Sequence, residues 1–349
     1  MRGTTLIAGL LAAIAITACG SANTTSGPPG STADTAKVPL TDMTTDVHYR
    51  GFAGGLYPGG NALPAAHQAA GIVAAKAIKP LDANGAPSPS GRYVLLSIGM
   101  SNTTQEFCAA NAGASCASWS FMGQAAADPA VNRTTLAIVN GARGGQAASD
   151  WTSPTSPEYD RIRDTVLATA GLSEQQVQIA WVKVANAQPT VSLPSASSDA
   201  YMLVSQMATI ARTLKLRYPN LRQIFFSSRT YAGYATTSLN PEPYAYESGL
   251  AVKWVVQAQI DQMQRGSEQD ARAGDLNYQT VAPWIGWGPY LWTRGTVGRA
   301  DGLVWTRADV ESDGTHPSQS GEQKVGRLLL DFFKTSPVSR CWFLAGEVC

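Results

Sequence analysis

The sequence predicts an α/β fold, one mostly parallel sheet doubly wound with helices on both faces. Three observations predict it. From residue 92 onward, short and almost unbroken apolar runs rich in β-branched and aromatic residues recur, and segments of helical periodicity separate them. A continuous apolar run marks a strand buried on both faces, and strands that alternate with helices are what a parallel sheet needs. The chain has 349 residues, 44% of them hydrophobic and 15% charged, enough to bury a full core in one large domain or two small ones.

Strands are expected at 92–98 (RYVLLSI), 135–141 (TLAIVNG), 177–184 (VQIAWVKV) and 223–228 (QIFFSS), with a fifth around 279–284 (QTVAPW). Helices are expected at 157–171, at 199–219 with Leu203, Met207, Ile210 and Leu214 on one face, and at 243–266. A last helix, 317–334, should turn Val325, Leu328, Leu329 and Phe332 inward. Upstream, 39–91 is dense in glycine and proline with one helical stretch at 67–77, and is expected to wrap over the core as an ordered extension. The expected organisation is a signal peptide at 1–18, a Ser/Thr/Gly/Pro tether at 19–38, the extension at 39–91 and one folded domain at 92–349. No internal repeat of 20 to 50 residues is present.

Charge excludes one class of partner. Twenty-six basic residues against 25 acidic ones leave a net charge of +1, with no basic stripe to neutralise phosphates, so nucleic acid is not expected to bind. The N-terminus, MRGTTLIAGLLAAIAITACG, carries an arginine and then an apolar run at 6–18 that is too short for a comfortable membrane span, which reads as a signal peptide. Its end, Ile16-Thr17-Ala18-Cys19-Gly20, resembles the bacterial lipobox. That resemblance implies a lipidated Cys19 as the mature N-terminus and an exported protein anchored at the cell envelope. An ordinary signal peptide with an incidental cysteine is the alternative.

With Cys19 set aside, four cysteines remain, and an even number in an exported protein favours disulfides. Neighbours are separated by seven residues in each case, so Cys108 is expected to pair with Cys116 and Cys341 with Cys349. A zinc site would need histidines near either pair or a CxxC spacing, and neither is present.

In open α/β sheets ligands bind beyond the carboxyl ends of the strands, so the residues directly after each run are the candidates for chemistry. The first run leads into Gly99-Met100-Ser101-Asn102, where Ser101 would stand at the sheet edge; a Ser-Asn pair there also fits a simple helix cap. The second leads into NGARGGQAASDW, whose paired glycines can bring a bare backbone amide to a ligand or merely make a turn. The third leads to Asn186, a side-chain donor or a local backbone cap. Just before the last helix, Asp313-Gly314-Thr315-His316 sets an aspartate three residues ahead of one of only three histidines. Such an aspartate can accept the Nδ1 proton and leave Nε2 free to take a proton from a hydroxyl. His48 has no such framework, and His67, in a short alanine-rich segment, reads as a packed or capping residue.

In order and placement these blocks resemble the SGNH hydrolases, the GDSL superfamily, over residues 92–334. The resemblance implies a three-layer α/β/α sandwich with a flavodoxin-like, five-stranded sheet. It further implies a serine esterase without metal or organic cofactor. Position by position, Ser101 matches the nucleophile, and Asp313 and His316 complete the triad. The Ser101 amide, the Gly145 amide and the Asn186 side chain match the oxyanion hole. The chain departs from the family at Met100, where the first block usually has aspartate, and at Val184-Ala185-Asn186-Ala187, where the third usually reads Gly-x-Asn-Asp. GMSN and GGQAASDW are closest to the corresponding blocks of carbohydrate and sialate O-acetylesterases, which implies an O-acyl substrate, O-acetyl on carbohydrate in the narrowest form, presented as a small molecule or a polysaccharide. An O-acyltransferase using the same residues is one alternative. The rival from another class is a surface lipoprotein that binds glycans or solutes without catalysis. Trp284, Trp287, Trp292 and Trp305 fall in a glycine-rich stretch before the histidine loop, where they would either line an acyl pocket or pack beneath a long loop.

Overall fold

The structure is a computed structural model that describes residues 37–109, 115–347 and 349. The signal peptide, nearly all of the tether and Cys19 lie outside the described residues. The last two residues of the expected tether are engaged with the fold: Lys37 lies 4.0 Å from Glu242, and the Val38 carbonyl accepts a 2.9 Å bond from the Tyr246 hydroxyl.

Five strands form one parallel sheet: β1 (Tyr93–Gly99), β2 (Leu136–Asn140), β3 (Val177–Lys183), β4 (Gln223–Phe226) and β5 (Trp284–Trp287). Their spatial order is β2-β1-β3-β4-β5, so the chain reverses direction of winding between β1 and β3. That reversal opens a crevice at the carboxyl edge, where ligands of such sheets bind. Every residue of β1, β3, β4 and β5 is buried, as unbroken apolar runs require.

The period-two alternation of each strand divides the interior into two cores. Val94, Leu96 and Ile98 of β1 face one side with Ile224, Phe226 and Ile285; there α5 (Asp199–Arg217), α6 (Tyr244–Arg265) and the α4 segment (Pro157–Arg161, continued by a π-helical turn, Ile162–Leu167) cover them. Tyr93, Leu95, Ile179, Trp181 and Phe225 face the other side, under α1 (Ala65–Lys76), α2 (Ser101–Phe107), α3 (Phe121–Ala127) and α7 (Gln319–Thr335). The result is three layers, α/β/α. Each fully buried aliphatic or aromatic side chain contributes about 1.5–3 kcal/mol.

Two expectations need correction. The fifth strand lies at Trp284–Trp287, not 279–284, because Pro283 has no N–H for the ladder and pairing with β4 begins only after it. The buried face of α7 is Val325, Leu329, Leu330 and Phe333, while Leu328 and Phe332 are only partly covered. Contact with α3 rotates the face, since Gly326 lies so close to the Phe121 amide and the Gln124 side chain that a Cβ there would collide.

The segment 39–91 lies against the sheet and α6. The Leu40 amide donates to the Tyr290 hydroxyl at 3.1 Å, and Tyr49 donates to Glu247 at 2.8 Å. His67, on α1, is buried; its Nε2 bonds the Ile285 carbonyl at 2.8 Å and its ring stacks on Trp284 with centroids 4.8 Å apart. Both expected disulfides are present, Cys108–Cys116 and Cys341–Cys349. Among the described residues no helix is long and apolar enough to cross a membrane.

Candidate active site

β1 delivers Ser101 to the carboxyl edge. Gly99 ends the strand so close to the Lys183 carbonyl and Thr103 side chain that any Cβ would overlap both, and Ser101 opens α2 two residues later. As the first helical residue, Ser101 keeps its amide out of the intrahelical ladder. Thr103 donates to the Lys183 carbonyl at 2.6 Å, fastening α2 to the end of β3.

The loop before α7 brings the base. His316 Nε2 is 2.8 Å from Ser101 Oγ, and its Nδ1 is 2.5 Å from Asp313 Oδ2, although 215 residues separate the serine from the histidine. Asp313 Oδ1 accepts the amides of Thr315 at 2.9 Å and His316 at 3.0 Å. Burial works against the Asp313 charge, yet the Thr315 amide, the His316 ring and the His316 amide together hold its carboxyl below the usual range. An ionised Asp313 fixes the Nδ1–H tautomer, so the bare Nε2 accepts from the Ser101 hydroxyl. Asn102, next to the nucleophile, donates to the Thr315 carbonyl at 2.7 Å and ties the two segments directly.

Ser101, Gly145, Asn186 and His316 line one cavity of about 280 Å³ at this edge. Gly145 has φ +81°, a left-handed conformation that costs a side-chain-bearing residue about 1–2 kcal/mol, and its amide donates no hydrogen bond among the described residues. Asn186 is buried; Nδ2 donates to the Asp199 carbonyl at 2.6 Å, which leaves one of its two hydrogens for a ligand. The asparagine therefore makes the local backbone contact and also lines the cavity.

Sequence reasoning missed two groups at this edge. Arg229, which follows β4, also lines the cavity and is buried; its signal was a charged residue directly after an apolar run. Glu106 and Lys183 form a fully buried ion pair at 2.5 Å, joining α2 to the last residue of β3. Burial pushes the Glu106 carboxyl up and pulls the Lys183 ammonium down to about 8, outweighing their mutual attraction. A lysine inside the run VQIAWVKV was its visible trace.

The four tryptophans resolve to packing. All are buried, none lines the cavity, and each indole N–H has an internal acceptor: the His67, Leu56 and Leu291 carbonyls for Trp284, Trp287 and Trp305, and Glu242 for Trp292.

The wall of the cavity and the histidine loop are interlocked. Thr236 N donates to the Asp313 carbonyl at 2.9 Å, and Gly314, at φ +67°, presses against the Tyr234 carbonyl where any Cβ would collide. Leu239 and Asn240 of that wall segment face the cavity. Among the described residues, no group of three or more His, Cys, Asp or Glu side chains is arranged to hold a metal ion.

No family model and no curated protein matches the chain. Solved structures do. An extracellular lipase from Streptomyces rimosus matches at 12% identity over 68% of this chain and 98% of that one, with a TM-score of 0.33. A carbohydrate esterase family 2 enzyme with a carbohydrate-binding domain, from Corynascus thermopiles (Myceliophthora fergusii), matches at 12% identity over 71% of this chain and 68% of that one, with a TM-score of 0.39. An Arabidopsis thaliana protein matches at 12% identity over 70% of this chain and 99% of that one, with a TM-score of 0.38.

Proposed function

We propose that the chain is an SGNH-type serine esterase acting on O-acyl esters, with O-acetyl groups on carbohydrate as the favoured substrate. The observation that carries this reading is the continuous hydrogen-bonded relay from Ser101 Oγ through His316 to Asp313, opening into a cavity at the sheet's carboxyl edge.

In this reading Ser101 Oγ attacks the ester carbonyl carbon as its proton passes to His316 Nε2. The carbonyl oxygen, now negative, is met by the amides of Ser101 and Gly145 and the remaining Asn186 N–H, each such donor contributing about 3–4 kcal/mol to the transition state. His316 returns the proton to the departing alcohol oxygen. Water then repeats the sequence on the acyl-enzyme and frees the acid. Asp313 stays ionised and stabilises the imidazolium at both stages.

A fluorophosphonate probe and p-nitrophenyl acetate test the reading. The intact chain should form a covalent adduct on Ser101 and release p-nitrophenol, and Ser101→Ala should do neither while retaining its melting temperature. Full hydrolysis by the Ser101→Ala variant would end the proposal. The envelope location belongs to the same proposal and rests on the sequence of the N-terminus: a radiolabelled fatty acid should enter the wild-type chain and not Cys19→Ala.

A further inference from the structure

The cavity is lined by a cation whose side chain has no hydrogen-bonded or ion-paired partner among the described residues. Arg229 is 1% exposed, and two of its guanidinium nitrogens, Nε and Nη1, are buried without any hydrogen bond. Only its backbone is engaged, through a 3.0 Å bond from its amide to the Ser248 hydroxyl. Among the described residues no carboxylate forms an ion pair or hydrogen bond with its side chain, although Glu106, Glu242 and Asp313 lie near enough to attract it electrostatically. Glu106 is bound to Lys183 at 2.5 Å and Asp313 to His316, while Glu242 accepts from Trp292 at 2.7 Å through Oε1 and keeps Oε2 buried without a hydrogen bond.

An unpartnered buried charge is costly, and guanidinium cannot escape by losing its proton as a lysine would. The carboxylates of Glu106, Glu242 and Asp313 offset part of that cost at a distance, and an anion from solution bonded directly to the fork would offset more. Two residues of the same lining carry atoms in the same condition: Asn186 Oδ1 and Asn240 Oδ1 are both buried and accept no hydrogen bond. Asn240 has φ +59°, a left-handed backbone that asparagine adopts more readily than most residues. The lining contains no acidic side chain, so Arg229 is its one fixed charge.

We infer that Arg229 is a specificity residue that binds a carboxylate carried by the substrate, with Asn186 Oδ1 and Asn240 Oδ1 accepting hydrogen bonds from hydroxyls beside it. This deepens the esterase reading and rests on it for the word substrate. The planar guanidinium fork matches a carboxylate in a bidentate pair, a geometry that an ammonium cannot reproduce. The carboxylate can belong to the acyl side, as in a dicarboxylic half-ester, or to the alcohol side, as in an acylated sugar acid.

Two matched substrate pairs separate those sources: p-nitrophenyl hydrogen glutarate against p-nitrophenyl butyrate, and O-acetylated methyl glucuronoside against O-acetylated methyl glucoside. The full chain should favour the acidic member of one pair at least tenfold in kcat/KM. Arg229→Gln should reduce that preference at least tenfold, chiefly through KM, and Arg229→Lys should restore only part of it. Equal kcat/KM within both pairs in the wild type, or a variant that slows both members alike, would overturn the inference and leave Arg229 a structural cation. Should Arg229→Gln not fold, Arg229→Lys and competition in the wild type decide: free methyl glucuronoside or glutarate must inhibit at concentrations at least tenfold below methyl glucoside or butyramide, and equal inhibition overturns it. If the wild type cleaves no ester, the function proposed above falls, and calorimetry of Ser101→Ala with glutarate and methyl glucuronoside still tests the carboxylate site. Binding lost in Ser101→Ala/Arg229→Lys sustains it, and no binding of either acid refutes it.

Discussion

His67 should make the fold acid-sensitive through a single ring. It is 1% exposed, stacked on Trp284, with Nε2–H donating to the Ile285 carbonyl and Nδ1 facing Met263 Sδ at 3.3 Å. Burial outweighs the Ile285 bond, and only a weakly accepting thioether faces a second proton, so its pKa falls from the ordinary 6.5 to about 4. Between those values the unfolded chain binds the proton and the folded chain does not. A depressed histidine pKa therefore contributes stability that is complete above about pH 6.5 and lost progressively as the pH falls toward 4. At about 1.4 kcal/mol per tenfold change the swing is on the order of 3 kcal/mol, a large fraction of the 5–15 kcal/mol typical of a folded domain. Urea denaturation at pH 7.5, 5.5 and 4, run on the wild type and on His67→Gln, measures it. The amide of glutamine can still donate to Ile285 but does not titrate. Every other acid or base is common to both proteins, so the stability gap between them should narrow by about 3 kcal/mol on acidification. A gap that stays constant across the range would refute the reasoning.

Other perturbations have equally defined outcomes. Asp313→Asn removes the acceptor that fixes the histidine tautomer and should cut kcat for p-nitrophenyl acetate by about 10³–10⁴ with little change in melting temperature. Glu106→Gln leaves the Lys183 ammonium buried without its counterion and should destabilise by about 3–5 kcal/mol in denaturant titration, whereas Glu106→Leu with Lys183→Met should recover most of that loss. Cys108→Ser with Cys116→Ser opens a short loop at the end of the serine helix and should cost about 2–3 kcal/mol, measured against the wild type under oxidising conditions.

Much of this architecture can be read from residue order, and the parts that cannot share a physical cause. Strands β1, β3 and β4 are visible because burial on both faces demands largely apolar runs, β2 because its edge position still keeps a short apolar run, and the long helices α5 and α6 because one face must repeat every 3.6 residues. β5 is four residues long, and in WIGW neither length nor alternation separates it from the glycine-rich stretch that follows; pairing with β4 is what makes it a strand. The inward face of α7 was offset because α3 approaches at Gly326, a contact no local pattern encodes. α2, α3 and the four-residue helix Arg340–Phe343 are too short to show a period at all. At the site, the meeting of Ser101 with the histidine loop follows from which strand ends share an edge. Arg229 and the Glu106–Lys183 pair are different in kind, since the cost or use of a buried charge depends wholly on neighbours distant in the chain.

The lock between Gly314 and Tyr234, with the Thr236 amide on the Asp313 carbonyl, bears on how this cavity can diversify. A loop of different length grafted over residues 231–240 would drag the acid of the relay out of line along with the wall. New substrate preferences are thus expected to arise by exchanging side chains at positions 239 and 240 on an unchanged backbone, and libraries confined to those two sites should yield more active progeny than libraries that vary the length of the segment.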